Sequence, residues 1–235
     1  MDEILGKVRR ELKAASNEKN RQSGMRYFKE EVSLYGVRSA DVRRIAKDNF
    51  DSIKGSTKSE ILGLCDALWQ LGQMEETFIA CEWSHKLAKK YVSEDFFIFE
   101  KWVHKYVNNW ASCDTLCNHT VGECVQMYPG HITDLKEWAL SDNRWVRRAS
   151  AVSLIVPARH GKFLPDIFQI AKILLIDKDD MVQKGYGWML KEASKPYQKE
   201  VFDFVMTHKA VMPRTALRYA IEKMPPQLKL RAMEK

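Results

Sequence analysis

Proline is missing from the first half of the chain, and sequence signals for β-structure are scarce throughout. All seven prolines lie at position 129 or later, so the first 128 of the 235 residues contain none. The sequence has no sustained alternating runs of β-branched residues and no Asn-Gly or Asp-Gly pairs of the kind that close hairpins. These absences favour a helical chain over one built from β-strands.

Long hydrophobic runs and cysteine are also limited. No apolar run approaches the ~20 residues that cross a bilayer, and the amphipathic, acidic start does not resemble a secretory signal. The five cysteines are an odd number, which favours reduced thiols and a cytoplasmic location over a disulfide framework. Cys113 and Cys117 share a helical spacing, but a structural zinc site needs four well-spaced ligands. We therefore expect no metal.

The sequence does contain helical periodicity along its whole length. Hydrophobic residues make up 45% of the chain and recur three and four positions apart, as in Ile61, Leu64, Cys65 and Leu68. The pattern predicts short helices of about 10–18 residues joined by brief polar turns. We expect an all-α fold forming a single domain over residues 1–235.

A repeat of about 36 residues underlies this pattern. Val146 and Val182 are equivalent under it, and so are Arg148 and Lys184; Arg218 follows Lys184 after 34 residues. Helix pairs repeating at this period are typical of a HEAT-like α-solenoid with a concave face. Such a solenoid is usually a monomer. Residues at equivalent repeat positions form a column, so the sequence predicts that Arg148, Lys184 and Arg218 form a basic ladder on one surface. The alternative is that these charges simply occupy the exposed sides of their helices.

The two segments that contain Val146 and Val182 begin alike. Acidic and polar capping residues, at 141–143 and at 179, precede a helix that is predicted to turn Val and Ala inward and its basic residues outward.

The charge of the chain is concentrated where this ladder lies. The net charge is +7, but residues 141–235 hold 18 basic and 10 acidic residues, a net of +8, against −1 for residues 1–140. A one-sided basic surface is typical of proteins that bind nucleic acid or anionic membranes. A ladder of cations suits the phosphate backbone of DNA, since each contact releases a condensed counterion.

Several segments resemble the DNA alkylation repair enzyme family, the AlkD-like bacterial HEAT-like-repeat DNA glycosylases. The resemblance covers nearly the whole chain, and its segments are Gly24–Glu30, Leu34–Val37, Asn109–Asp114, Ser141–Ala149 and Val182–Glu192. One departure follows Arg148: glycosylase members tend to carry a further basic residue there, and this chain has the apolar stretch Val152–Pro157.

The resemblance implies the fold, the activity and the site residues. Members remove alkylated bases without flipping them into a pocket and need no cofactor, so the implied partner is double-stranded DNA with alkylated bases and the implied location is the nucleoid. The implied catalytic residues are Trp110, Asp114 and Arg148. Tyr27 and Trp188 are implied to border the DNA.

The chemistry of the residues agrees with that assignment. Trp110 and Asp114 are four apart, so a helix places both side chains on one face. Loss of a base from deoxyribose passes through an oxocarbenium-like cation, which a carboxylate and the negative face of an indole stabilise. The other tryptophans are expected to pack in the core: Trp69, Trp83, Trp102, Trp138 and Trp145.

Two other functions remain open from the sequence. A non-catalytic binder of damaged or branched DNA would use the same basic face. A protein-binding HEAT scaffold would use the concave surface for peptides, although the +8 segment argues against it.

Overall fold

The computed structural model describes residues 2–234, and helices dominate this part of the chain. These residues contain no β-strand, and their one isolated bridge joins Ser33 to Gln73. The prediction of an all-α fold is therefore confirmed.

The chain forms two compact units, Met1–Leu116 and Cys117–Lys235. The prediction of a single domain over residues 1–235 stays a prediction. The first unit contains α1 (Asp2–Ala14), α2 (Glu18–Met25), α3 (Ser39–Ile53), α4 (Lys58–Trp69), α5 (Met74–Lys86), a 3₁₀ turn (Ala88–Lys90), α6 (Asp95–Lys105) and α7 (Trp110–Thr115).

The second unit continues the series of short helices. A π-helical segment, Leu116–Val121, begins at the last residue of the first unit. It is followed by α8 (Gly122–Met127), a 3₁₀ turn (Pro129–His131), α9 (Ile132–Trp138), α10 (Arg144–Val152), α11 (Ile155–Arg159), α12 (Leu164–Ile173), α13 (Asp180–Ala193), α14 (Gln198–His208), α15 (Arg214–Ala220) and α16 (Pro226–Met233).

Helices from successive repeats stack inside each unit. In the first unit α1 packs on α3, α3 on α5, and α5 on α7; in the second α10 packs on α13, and α13 on α15. These helices contact their counterparts in the neighbouring repeat, which is the packing of an α-solenoid.

Buried tryptophans join neighbouring repeats of the first unit. Trp83 Nε1 donates to the Ala46 carbonyl at 2.8 Å, and Trp102 Nε1 donates to Asp66 Oδ1 at 2.9 Å. The paired residues are 37 and 36 positions apart, which matches the repeat length in the sequence. All five tryptophans expected in the core are buried, which confirms that prediction: Trp69, Trp83, Trp102, Trp138 and Trp145.

The turns before α10 and α13 have equivalent caps, as their sequences predict. The Asn143 side chain accepts from the Trp145 N–H at 2.9 Å, and 36 residues later the Asp179 side chain accepts from the Met181 N–H at 2.9 Å. These caps satisfy N–H groups that have no partner within their own helix. Arg147 joins the two turns, because its Nε donates to Asp177 Oδ2 at 2.6 Å.

The apolar stretch after Arg148 forms the end of α10 and the start of α11. Val152, Leu154 and Ile155 have no exposed surface, and Pro157 is also buried. The stretch therefore contributes to the core of the second unit.

Candidate functional site

The first unit places Trp110 and Asp114 at the beginning and near the end of α7. The Asn109 side chain caps this helix by accepting from the Ser112 N–H at 2.9 Å. Ala111, Ser112 and Cys113 are buried, while Trp110 and Asp114 are both partly exposed. One helical turn separates the two side chains, so they share the accessible face of α7.

The indole of Trp110 is held by the turn that follows α2. Its Nε1 donates to the Tyr27 carbonyl at 3.3 Å. The Phe28 ring stacks on the indole, with 5.3 Å between ring centroids and 17° between planes. Both aromatic rings pack on a small apolar cluster of Val32, Met74 and Ala111. The sequence did not identify Phe28 as a site residue, although it adjoins Tyr27 in the segment Gly24–Glu30.

A cavity of about 230 Å³ opens beside this aromatic pair. Its walls are mainly apolar, and the polar groups on them include Asn20, Ser39 and Glu75. The apolar walls include Leu34, Val37, Val42, Met74 and Phe78, together with the two stacked rings.

Two buried carboxylates hold the segment next to this cavity. Glu75 Oε1 accepts from the Gly36 N–H at 2.8 Å and from the Val37 N–H at 3.1 Å, and Glu75 Oε2 accepts from the Tyr35 N–H at 3.0 Å. Glu76 accepts from the Tyr35 hydroxyl at 2.8 Å and from Arg9 Nε at 3.1 Å. Burial, followed by the hydrogen bond to Glu76, raises the pKa of Tyr35.

The sequence reasoning also missed these two glutamates. Their position at the start of α5 is favourable, because carboxylates are stabilised by the dipole at a helix N-terminus. A pair of glutamates at a helix start is common on protein surfaces, and only their tertiary contacts distinguish Glu75 and Glu76.

Arg148 departs from the predicted ladder. Its side chain is 4% exposed, and its Nη1 donates to the Met181 carbonyl in the first turn of α13. Gly185 leaves the room for it: a Cβ at Gly185 would lie 3.3 Å from Arg148 Cγ. The prediction that Arg148 is exposed on the outer side of α10 is therefore wrong. The predicted catalytic role of Arg148 stays a prediction.

The other predicted DNA contacts lie at accessible positions. Tyr27 is 74% exposed. Lys184 is partly exposed and pairs with Asp180 at 3.1 Å, while Arg218 is exposed in the last turn of α15. Trp188 is partly exposed on α13, with Lys191 Nζ 5.9 Å from its ring centroid.

Each unit therefore brings together a part of the predicted set. Tyr27 and Trp110 are in contact in the first unit, with Asp114 one turn further along α7. In the second unit Arg148 contacts α13, the helix that carries Lys184 and Trp188. That these residues act as one site stays a prediction.

Residues 2–234 present no group of three or more His, Cys, Asp or Glu side chains placed to hold a metal ion. All five cysteines are buried free thiols. Among the helices of this described part, none has the length and apolar character to cross a membrane.

Comparisons with known proteins point to one family. The model of a family described as "DNA alkylation repair enzyme" matches residues 8–224. A solved structure titled "Predicted DNA alkylation repair enzyme from Enterococcus faecalis" is similar, with a TM-score of 0.80 and 16% sequence identity over 90% of this chain and 97% of that chain. At that identity the likeness shows the fold alone. A search of curated proteins finds no match.

Proposed function

Since the chain belongs to the DNA alkylation repair enzyme family, we propose that it is a monofunctional DNA glycosylase. It hydrolyses the N-glycosidic bond of cationic alkylated purines, N3-methyladenine and N7-methylguanine, and leaves an abasic site. The observation that carries this proposal is the pairing of Trp110 and Asp114 on the accessible face of α7. It is supported by the contacts that hold the Trp110 indole in one orientation.

Asp114 is the group that stabilises the positive charge developing in this reaction. As the bond between C1′ and the base nitrogen breaks, its electron pair goes to the base and positive charge develops on the sugar. A carboxylate stabilises such a cation and orients the attacking water, as in glycoside hydrolysis. Water then adds its hydroxyl to C1′ and releases a proton to solvent.

A single carboxylate is enough for this substrate class. An N3- or N7-alkylated purine already carries positive charge, so it leaves as a neutral base without being protonated. A paired general acid, which glycosidases use to protonate an alkoxide leaving group, is therefore not required. The substrate's own charge also suits the electron-rich face of Trp110.

The remaining predicted residues bind the DNA. Lys184 and Arg218 are accessible cations for phosphates, and the aromatic side chains of Tyr27 and Trp188 are exposed and partly exposed, respectively. Arg148 is assigned a phosphate next to the lesion, a contact that requires its guanidinium to become more accessible than in the free protein. In this scheme the base is not inserted into a protein pocket.

Release of methylated bases tests this function directly. Duplex DNA treated with a methylating agent is incubated with the protein, and free N3-methyladenine and N7-methylguanine are measured by chromatography. We expect release well above the buffer rate. A protein that binds this DNA but releases no base above the buffer rate is a non-catalytic binder of damaged DNA, and the proposal fails.

Asp114→Asn tests the assigned role. The single-turnover rate should fall about 10²–10³-fold, because the variant lacks the charge that stabilises the cation, while affinity for the duplex is retained. Asp41→Asn is the matched control, since Asp41 is a partly exposed carboxylate on α3 of the same unit. If Asp114→Asn retains the full rate, the chemistry belongs to another residue.

A further inference from the structure

The orientation of Trp110 depends on contacts outside α7. The indole has one hydrogen-bond donor, and the Tyr27 carbonyl accepts from it. One ring face is covered by Phe28 in a nearly parallel stack, at 5.3 Å between centroids. Both partners belong to the turn that closes α2, where the Phe28 N–H donates to the Met25 carbonyl at 3.1 Å. The position of this turn therefore sets the position of the indole.

The buried carboxylate of Glu75 holds the segment that packs against the start of α2, the helix that this turn closes. That carboxylate accepts from three consecutive backbone N–H groups, those of Tyr35, Gly36 and Val37. Gly36 adopts a left-handed φ of 81° and lies directly against the cap of α2, since a Cβ there would overlap the Asn17 carbonyl oxygen. Charge-assisted hydrogen bonds to a side chain that is 3% exposed are among the stronger contacts of a protein.

We propose that Phe28 is a positioning residue for the Trp110 indole, and that Glu75 holds in place the segment on which Phe28 depends. Glu75 holds Gly36, and Gly36 packs against α2. The turn that follows α2 then contacts the Trp110 indole. Phe28 and Glu75 act without touching the substrate. Their effect on rate rests on the proposed function, whereas their effect on the indole does not.

The geometry is tested by ¹⁹F NMR on the full-length protein labelled with 5-fluorotryptophan. The seven tryptophans give the signals, and Trp110→Phe identifies the one from Trp110. Phe28→Leu should shift and broaden the Trp110 signal and leave the signals of the distant tryptophans in place. Phe28→Tyr keeps the ring and should retain the wild-type Trp110 signal, because the rescue requires only the aromatic face.

Glu75→Gln tests the role of Glu75. The amide nitrogen of glutamine cannot accept a hydrogen bond, so at least one of the three backbone N–H groups loses its partner. We expect the Trp110 signal to move in the same direction as in Phe28→Leu. Phe28→Met is a second replacement that removes the ring, in case Phe28→Leu does not fold.

Phe168→Leu is the matched control. Phe168 is a partly exposed phenylalanine that stacks on Phe204, with 4.7 Å between centroids and 5° between planes, in the second unit. Phe168→Leu and Phe28→Leu should both lower the melting temperature, because each removes a stacked ring. Phe168→Leu should leave the Trp110 signal unchanged. An unchanged Trp110 signal in the folded Phe28 variants overturns the proposal, and a wild-type signal in Glu75→Gln overturns the role of Glu75.

The activity measurement separates this proposal from the proposed function. With the methylated duplex, Phe28→Leu should lower the single-turnover rate about tenfold, since small misplacements of a site residue cost this much or more. Its affinity for the duplex and the rate of Phe28→Tyr should stay within about twofold of wild type. A displaced Trp110 signal in a protein whose wild type releases no base supports the positioning and refutes the glycosylase. A displaced signal with an unchanged rate overturns the effect of Phe28 on catalysis.

Discussion

At the scale of a single residue, Arg148 combines a predicted function, contact with a DNA phosphate, with a structural role between α10 and α13. The side chain has the charge expected of a phosphate contact, yet it is 4% exposed and donates to the Met181 carbonyl. A loss of DNA binding on removing Arg148 is therefore not evidence of a phosphate contact unless stability is measured as well.

Arg148→Ala should lower the free energy of unfolding by about 2–3 kcal/mol, because the charge-assisted hydrogen bond to the Met181 carbonyl is lost and the side chain leaves unfilled space. Denaturant unfolding followed by circular dichroism measures this change. Arg218→Ala, which truncates an exposed arginine, should stay within about 0.5 kcal/mol of wild type. Equal losses in the two variants would contradict the role of Arg148 between α10 and α13.

A sequence signal for the burial of Arg148 does exist. Trp145, Ala149 and Val152 are all buried, and Arg148 lies three, one and four positions from them on the same face of α10. The prediction that Arg148 faces outward followed the general preference of arginine for the surface rather than this periodicity. The partner of Arg148, the Met181 carbonyl, lies 33 residues away, which is too far for local periodicity to indicate.

At the scale of elements, the close approach of α13 and α15 depends on Gly187. A Cβ at this position would lie 2.7 Å from Tyr219 Cβ and 2.8 Å from the Ala216 carbonyl oxygen. The second of these atoms is backbone, so side-chain rotation cannot relieve the overlap. The two helices can pack at this distance only because residue 187 has no side chain.

Gly187→Ala should therefore destabilise the protein by about 1–3 kcal/mol through overpacking. Gly63→Ala is the opposite case: Gly63 lies inside α4, and a Cβ there would meet nothing within 4 Å. It should stabilise by about 0.5–1 kcal/mol, as Gly→Ala does in an exposed helix. Thermal unfolding of both variants checks the pair, and a Gly187→Ala melting temperature at or above the wild-type value would refute the packing argument.

At the scale of the whole molecule, the proposed function predicts that the charge distribution governs affinity for DNA. The excess of +8 in residues 141–235 should make duplex binding strongly dependent on salt, since each phosphate contact releases a counterion. Arg218→Gln should lower the slope of log affinity against log salt by about one, with affinity falling for all sequences alike.

The matched control for this prediction is Lys199→Gln. Lys199 is an exposed cation of the same unit, on α14 rather than on the α10, α13 and α15 stack, and it pairs with Asp203 at 2.6 Å. Its replacement should leave the slope unchanged. Fluorescence anisotropy with a labelled duplex at several salt concentrations measures both slopes, and equal slopes in the two variants would argue against a contact at Arg218.

The sequence by itself determined the helical fold, the repeat of about 36 residues, the caps of α10 and α13 and the five core tryptophans. These features follow from local rules: periodicity places residues on a face, and cap residues act within three positions. It also indicated the family and placed Trp110 and Asp114 on one face of α7. Only the tertiary structure decided that Arg148 is buried, that Glu75 binds three backbone N–H groups and that Phe28 stacks on Trp110. The partners in those contacts are between 33 and 82 positions apart, so packing between helices, rather than any local pattern, brings them together.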